Sequence, residues 1–190
     1  MRAFNKHMLA MVFGLLPMMA MAHPGHDQTH VGFWEGLIHP FTGLDHLVMA
    51  IGFGVLLWTV AKQWRVLGIL GLSLSLVIGF ILGANQIVPA NIAEYGIVAS
   101  LIVLAVALWS KSYRVLPLAA ALMASFHGMA HGVELAPQGH VVGLVLGMIS
   151  GMAILYAVGL GLGALINRYV PYGRKIMAGL AAIVAVIGLT

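Results

Sequence analysis

The run VVGLVLGMISGMAILYAVGLGLGALI, residues 141–166, contains no charged side chain. It exceeds the roughly 20 residues that a helix needs to cross the hydrocarbon core of a bilayer. Inside lipid every backbone N–H and C=O must be paired within the protein, so such a run reads as a helix. Its valines and isoleucines do not argue for a strand in that setting. Comparable apolar runs lie at 38–60, 66–84, 91–109, 115–134 and 173–189. Polar or Pro/Gly turns separate them at 62–65, 85–91, 111–114, 136–140 and 167–174. The expected fold is an all-α polytopic membrane protein, a six-helix transmembrane bundle.

Composition points the same way. Of 190 residues, 62% are hydrophobic and 7% charged, against about half and about a quarter in a soluble domain. A soluble chain this short buries too small a fraction of its surface to hide so much apolar material. A cytosolic enzyme, a nucleic-acid binder and a disordered tail are excluded as classes. The net charge of +4 arises from nine Lys and Arg against five Asp and Glu. The bases are scattered, which suits topology signals and not a nucleic-acid partner. There is no cysteine, so a metal site must draw on imidazole, carboxylate, thioether, backbone oxygen or water. The nine histidines equal the whole Lys and Arg count.

The first 22 residues have a basic start (Arg2, Lys6), an apolar run from Met8 and a small-residue ending at Ala20-Met21-Ala22. This is the pattern of a cleavable signal peptide. Cleavage after Ala22 leaves a short periplasmic, histidine-containing segment, 23–37, ahead of a transmembrane domain at 38–190. With the mature N-terminus outside, the first, third and fifth loops face the cytoplasm. They carry Lys62 and Arg65, Lys111 and Arg114, then Arg168, Arg174 and Lys175, which are all the basic residues beyond the leader. Such one-sided placement is the positive-inside pattern of an inner-membrane protein with six spans and both mature ends periplasmic.

Glycines recur at four-residue spacing: Gly79 and Gly83, Gly143, Gly147 and Gly151, Gly159 and Gly163. Spacing of this kind lets helix backbones approach closely, either inside one subunit or between the subunits of a homo-oligomer.

Seven of the nine histidines fall into three clusters. His23, His26, Asp27 and His30 lie in the outer segment, a mobile capture site for a borderline divalent ion or simply a polar lead-in. The second cluster is HPFTGLDH, residues 39–46, with Met49 one turn later. Pro40 and Gly43 interrupt a helix begun near Phe33, and Thr42 or Asp45 is placed to cap the helix that follows. His46 and Met49 share a face at i, i+3, whereas Asp45 is expected to point elsewhere and to offset charge or orient His39 or His46. In the third cluster, His127, His131 and Glu134 share one face at i, i+4 and i+7. At 1.5 Å per residue, His46 stands roughly 24 Å above Lys62, and His127 and His131 stand about 20 and 26 Å from Arg114. Both clusters therefore fall in the outer half of the membrane, consistent with one site between the first and fourth spans. Ionisable groups at such depth are costly, so functional use is the default reading. Glu94, near the outer end of the third span, suits either the site or solvent.

With these residues placed, the chain resembles the HupE/UreJ family from His23 to its C-terminus. HPFTGLDHLVM is similar to that family's HPxxGxDHxxxM pattern, and FHGMAHGVE, residues 126–134, resembles its second histidine motif. The resemblance implies a nickel permease, or an accessory protein supplying nickel for hydrogenase or urease maturation, with cobalt also proposed. By position it implies His39, Asp45 and His46 in the first motif, with His127 and His131 in the second.

The expected function is secondary uptake of a divalent transition metal, Ni²⁺ by resemblance, across the bacterial inner membrane. Imidazole and carboxylate donors also accommodate Co²⁺, Zn²⁺ and Cu²⁺. The candidate metal residues are His39, Asp45, His46, His127, His131 and Glu134, joined more weakly by His23, His26, Met49 and Glu94. No Walker motif is present, so ATP is not the direct energy source within this chain. A non-transporting metal sensor or metallochaperone-like accessory protein uses the same donors, as does a membrane metal-dependent hydrolase; the hydrolase lacks an HExxH motif to support it. The topology is directly checkable: a membrane-impermeant label at a cysteine introduced in the 85–91 loop is expected to react from the periplasmic side. Reaction only after the cytoplasmic face is exposed overturns the assignment.

Overall fold

A computed structural model describes residues 32–59, 63–110, 115–136 and 140–189. The leader, its cleavage site, His23, His26 and the loop bases Lys62, Lys111 and Arg114 lie outside the described residues. All regular structure among the described residues is helical: α1 (Phe33–Ile38), a single 3-10 turn (His39–Phe41), α2 (Leu44–Trp58), α3 (Gln63–Ala84), α4 (Ala90–Trp109), α5 (Val115–Met123), α6 (Ser125–Leu135), α7 (Val141–Tyr169) and α8 (Gly173–Ile187).

Three helical stretches, Trp64–Ala84, Ala90–Trp109 and Val141–Tyr169, are long and apolar enough to cross a bilayer. A fourth crossing is available if Phe33–Phe41 and Leu44–Trp58 count together, but that pair is bent by 78°. The continuous span expected at 38–60 is therefore broken where Pro40 and Gly43 were read as interruptions. Pro40 has no N–H to donate, and Gly43 is extended at φ −99° and ψ 130°. The span expected at 115–134 is divided as well, by a turn at Ala124 between α5 and α6. With α8 covering 15 residues, the described helices support three or four crossings by length and apolarity.

The core is built around Met49, Ala50, Phe53 and Leu56 of α2, Leu72 of α3, Leu101, Leu104 and Leu108 of α4, and Met152 of α7. Large apolar side chains also face outward, among them Leu70, Leu74 and Ile81 on α3 and Leu146, Ile154 and Val158 on α7. Water does not tolerate apolar faces of that extent, whereas lipid does. The chain is a membrane protein.

Glycines set how closely the helices approach. A Cβ on Gly79 or Gly83 of α3 would collide with the backbone of Ser125 or Met129 on α6. Gly128 and Gly132 of α6 reciprocate against the backbone at Leu76 and Phe80. On the other side, Gly147 of α7 meets backbone of α1, and Gly54 of α2 and Gly159 of α7 lie against each other's helices. The regularly spaced glycines thus serve packing within one subunit.

The described basic residues lie at the end of the bundle away from the start of α2. Arg174 donates from Nε to the Leu108 carbonyl (2.8 Å) and also to the Ser110 carbonyl, joining the N-terminus of α8 to the C-terminus of α4. Arg65 donates to the Trp58 carbonyl (2.9 Å), with its guanidinium 3.9 Å from the Trp58 ring centroid. The Tyr156 hydroxyl donates to the Arg65 carbonyl (2.6 Å). Cations here satisfy helix C-terminal carbonyls and complement the negative end of the helix dipoles.

The glycine contacts yield a stability test. Gly128→Val or Gly132→Val forces α3 and α6 apart and is expected to cost at least the roughly 1–3 kcal/mol typical of overpacking. Gly161→Ala, where an added Cβ meets nothing within 4 Å, serves as the matched control. Thermal unfolding in detergent should separate them; equal midpoints would mean the α3–α6 contact is not constraining.

Candidate metal centre

The 3-10 turn and the first turn of α2 deliver His39, Asp45 and His46, and α6 delivers His127 and His131. Although 85 residues apart, His46 and His131 meet directly, with Nε2 atoms 2.7 Å apart. His39 Nε2 lies 3.3 Å from His131 Nε2. One nitrogen from each of His39, His46 and His131 falls in a group whose members all lie within 4.8 Å of one another. The His39 and His131 rings stand edge to face at 4.4 Å between centroids, while those of His46 and His131 stack at 4.9 Å. Histidines of the first and fourth apolar segments, which were expected to face one another, meet in this group.

Asp45 lies beside His46, one of the two histidines it was expected to orient, although helical spacing places it off that histidine's face. Its Oδ1 lies 3.0 Å from His46 Nδ1, and its Oδ2 lies 3.6 Å from His127 Nε2. Helical spacing had pointed it away from His46, but in the first turn its side chain folds back over Gly43. A Cβ at Gly43 would stand 2.6 Å from Asp45 Oδ1 and 2.8 Å from His46 Nδ1, so this glycine makes room for the contact. Neither Thr42 nor Asp45 caps α2, since Gly43 occupies the N-cap position with no side-chain hydrogen bond. Thr42 Oγ1 instead donates to the His39 carbonyl (2.7 Å), closing the 3-10 turn. Asp45 still benefits from the positive end of the α2 dipole.

The donor chemistry fits a divalent transition metal. A carboxylate accepts, so His46 donates from Nδ1 and its Nε2 presents a lone pair toward His39 and His131. This carboxylate–imidazole arrangement is how proteins fix the tautomer and orientation of a metal-binding histidine. His131 Nε2 faces two imidazole nitrogens, yet it has one proton or one lone pair with which to answer them. His131 Nδ1 and both nitrogens of His127 are buried without a hydrogen-bond partner, a cost of about 1–3 kcal/mol for each unsatisfied group. Nitrogen ligands about 2.0–2.1 Å from one ion stand roughly 3 Å from each other; the separations from His131 to His46 and His39, 2.7 and 3.3 Å, lie near that value, and the group as a whole spans up to 4.8 Å. A central cation would answer the converging lone pairs that hydrogen bonds among imidazoles leave unmet.

The other candidates are placed differently. His127 is fully buried and its ring lies 5.0 Å from that of His46, yet it stands outside the three-histidine group. Met49 is buried in the apolar core. Glu134, at the end of α6, and Glu94, in α4, are exposed and outside the group. Sequence reasoning missed the role of Gly43 as the space for Asp45. The signal was a glycine two residues before a carboxylate–histidine pair, but it was read only as a helix breaker.

The sequence model of HupE / UreJ proteins matches residues 9–190. The chain belongs to the HupE/UreJ family. Protein HupE of Rhizobium leguminosarum bv. viciae is 29% identical over 188 residues, covering 91% of this chain and 90% of that protein. No solved structure matches the chain. HupE/UreJ proteins form a membrane permease and accessory family, not an enzyme family.

The histidine geometry is tested by metal titration of the detergent-purified protein. Asp45→Asn removes the carboxylate that orients His46 and is expected to weaken Ni²⁺ binding by about 10–100-fold. Gly43→Ala is expected to act in the same direction by displacing Asp45, without unfolding the protein. Calorimetric affinities equal to wild type for both variants would remove Asp45 from the centre.

Proposed function

We propose that this protein takes up Ni²⁺ across the bacterial inner membrane, as a secondary transporter with a cleaved leader, six spans and both mature ends in the periplasm. The observation that carries the reading is the convergence of the His39, His46 and His131 nitrogens within 4.8 Å, inside a bundle whose other walls are apolar. An ion entering from the periplasm meets His39 first, because His39 is half-buried while His46 and His131 are buried. Imidazole replaces part of its water shell, and Asp45 offsets part of its charge. His23 and His26 of the outer segment, with Glu94 and Glu134, attract the hydrated cation toward the mouth. Met49, one turn below His46, offers a soft contact on the way inward. Co²⁺, Zn²⁺ and Cu²⁺ suit the same donors and compete for the site. Delivery to hydrogenase or urease maturation proteins is the use that family membership favours.

One observation favours a second reading, in which the protein binds metal as a sensor or accessory factor without passing it on. Beyond the histidines the interior of α2 is closed by Met49, Ala50 and Phe53, each at most 1% exposed. A through-route therefore requires these helices to shift when the ion is bound.

Uptake of external radioactive nickel into sealed proteoliposomes distinguishes the two readings. Wild type is expected to accumulate the ion, and His46→Ala and His131→Ala to lose accumulation by more than the roughly 10–100-fold that removal of a supporting partner costs. Tight binding by wild type with no accumulation sinks the transport reading and leaves the sensor.

A further inference from the structure

His127 is the buried imidazole that the three-histidine group leaves out. Its side chain has no solvent exposure, and neither of its ring nitrogens has a hydrogen-bond partner. The charged group facing it is the Asp45 carboxylate, whose Oδ2 lies 3.6 Å from His127 Nε2 while Oδ1 holds His46. That spacing exceeds a hydrogen bond, so it leaves the lone pairs of both groups available. Asp45 therefore has one oxygen committed to the three-histidine centre and the other turned to a separate imidazole.

Depth gives this arrangement a direction. His127 precedes His131 by four residues on α6, which is about 6 Å along the helix axis. α6 runs parallel to α3, because Gly79 and Gly83 meet Ser125 and Met129 in the same order. α3 begins beside Arg65 and Trp58, at the basic end of the bundle. His127 is accordingly one turn nearer the basic end than His131. Among the imidazoles exposure declines along the same line: His39 is half-buried, His46 and His131 are 5% and 6% exposed, and His127 is 0%, while the Asp45 carboxylate at the start of α2 is 29% exposed.

We propose that His127, one turn deeper, and the shared Asp45 carboxylate form a second coordination step, to which the three-histidine centre hands the ion. This rests on the transport reading above. The transfer is a ligand exchange without redox change. Bonds from the ion to His39 Nε2 and then His131 Nε2 break as bonds to His127 Nε2 and Asp45 Oδ2 form. His46, hydrogen-bonded to Asp45 and in ring contact with both His127 and His131, stays beside the ion throughout. The carboxylate supplies at the second step the negative charge that three neutral imidazoles do not supply at the first. The unpartnered Nε2 of His127 is thereby explained as a ligand position used only during passage.

The test separates binding from movement. His127→Ala and the milder His127→Gln are each compared with wild type and with His131→Ala. Ni²⁺ affinity is read by calorimetry, the number of bound imidazoles by X-ray absorption, and accumulation in sealed proteoliposomes. Both His127 variants are expected to keep wild-type affinity within a few-fold and the same imidazole count, while accumulation falls by roughly 10–100-fold. Retained affinity and imidazole count also show that the variants fold. His131→Ala is expected to lose affinity and accumulation together and to lower the imidazole count. If either His127 variant lowers affinity and imidazole count as His131→Ala does, there is a single site and the proposal is overturned. Unimpaired accumulation in the His127 variants, beside an accumulating wild type, overturns the hand-over alone. A wild type that binds without accumulating overturns transport and hand-over together.

Discussion

Contact between helix backbones through glycine fixes where every imidazole of the cluster sits. α6 carries two histidines, and its position is set by the reciprocal contact of Gly128 and Gly132 with α3 and of Gly79 and Gly83 with α6. The 3-10 turn and the start of α2 carry the other two, and the flanking α1 and α2 lie against α7 through Gly36, Gly54, Gly147 and Gly159. Lipid supplies no hydrophobic drive for one apolar helix to leave it for another, so association relies on close packing and polar contacts. A methyl group at these crossings would move backbone, and the 2.7 Å approach of His46 to His131 would open with it.

Packing alone does not account for a polar centre among apolar walls. Burial of imidazoles whose nitrogens lack partners opposes folding, and the same donors gain when a cation joins them. The bundle therefore holds a group of ligands whose mutual hydrogen bonding is incomplete by construction. Asp45 relieves part of the cost by accepting from His46, and it lies where the α2 dipole favours negative charge. The bend between the 3-10 turn and α2 is what allows His39 and His46, seven residues apart in sequence, to address the same nitrogen of His131. A straight helix would also have put positions seven apart on one face, but roughly 10 Å apart along the axis.

Much of this was legible in the sequence. The apolar runs predict helices, and α3, α4 and α7 appear with lengths close to those of the runs. Pro40 and Gly43 mark the break because their chemistry forbids a regular helix there. The partnership of the first and fourth apolar segments follows from matching depths of their histidines. Other features were not legible. Spacing rules apply inside a regular helix, whereas Asp45 sits in a first turn beside a glycine, where its side chain is free to fold back. Glu134 shares a helical face with His127 and His131, but α6 ends in the next residue and that face is exposed at its last turn.

The sequence by itself determined that this is an all-helical membrane protein with histidines concentrated toward one end, because hydropathy, charge placement and residue type are local properties. The tertiary structure alone decided which donors meet. It gathered His39, His46 and His131, set His127 apart beside Asp45, and spent the spaced glycines on contacts within the chain. Such outcomes depend on helix crossings and on a bend of 78°, and no local pattern of residues encodes the distance between two helices.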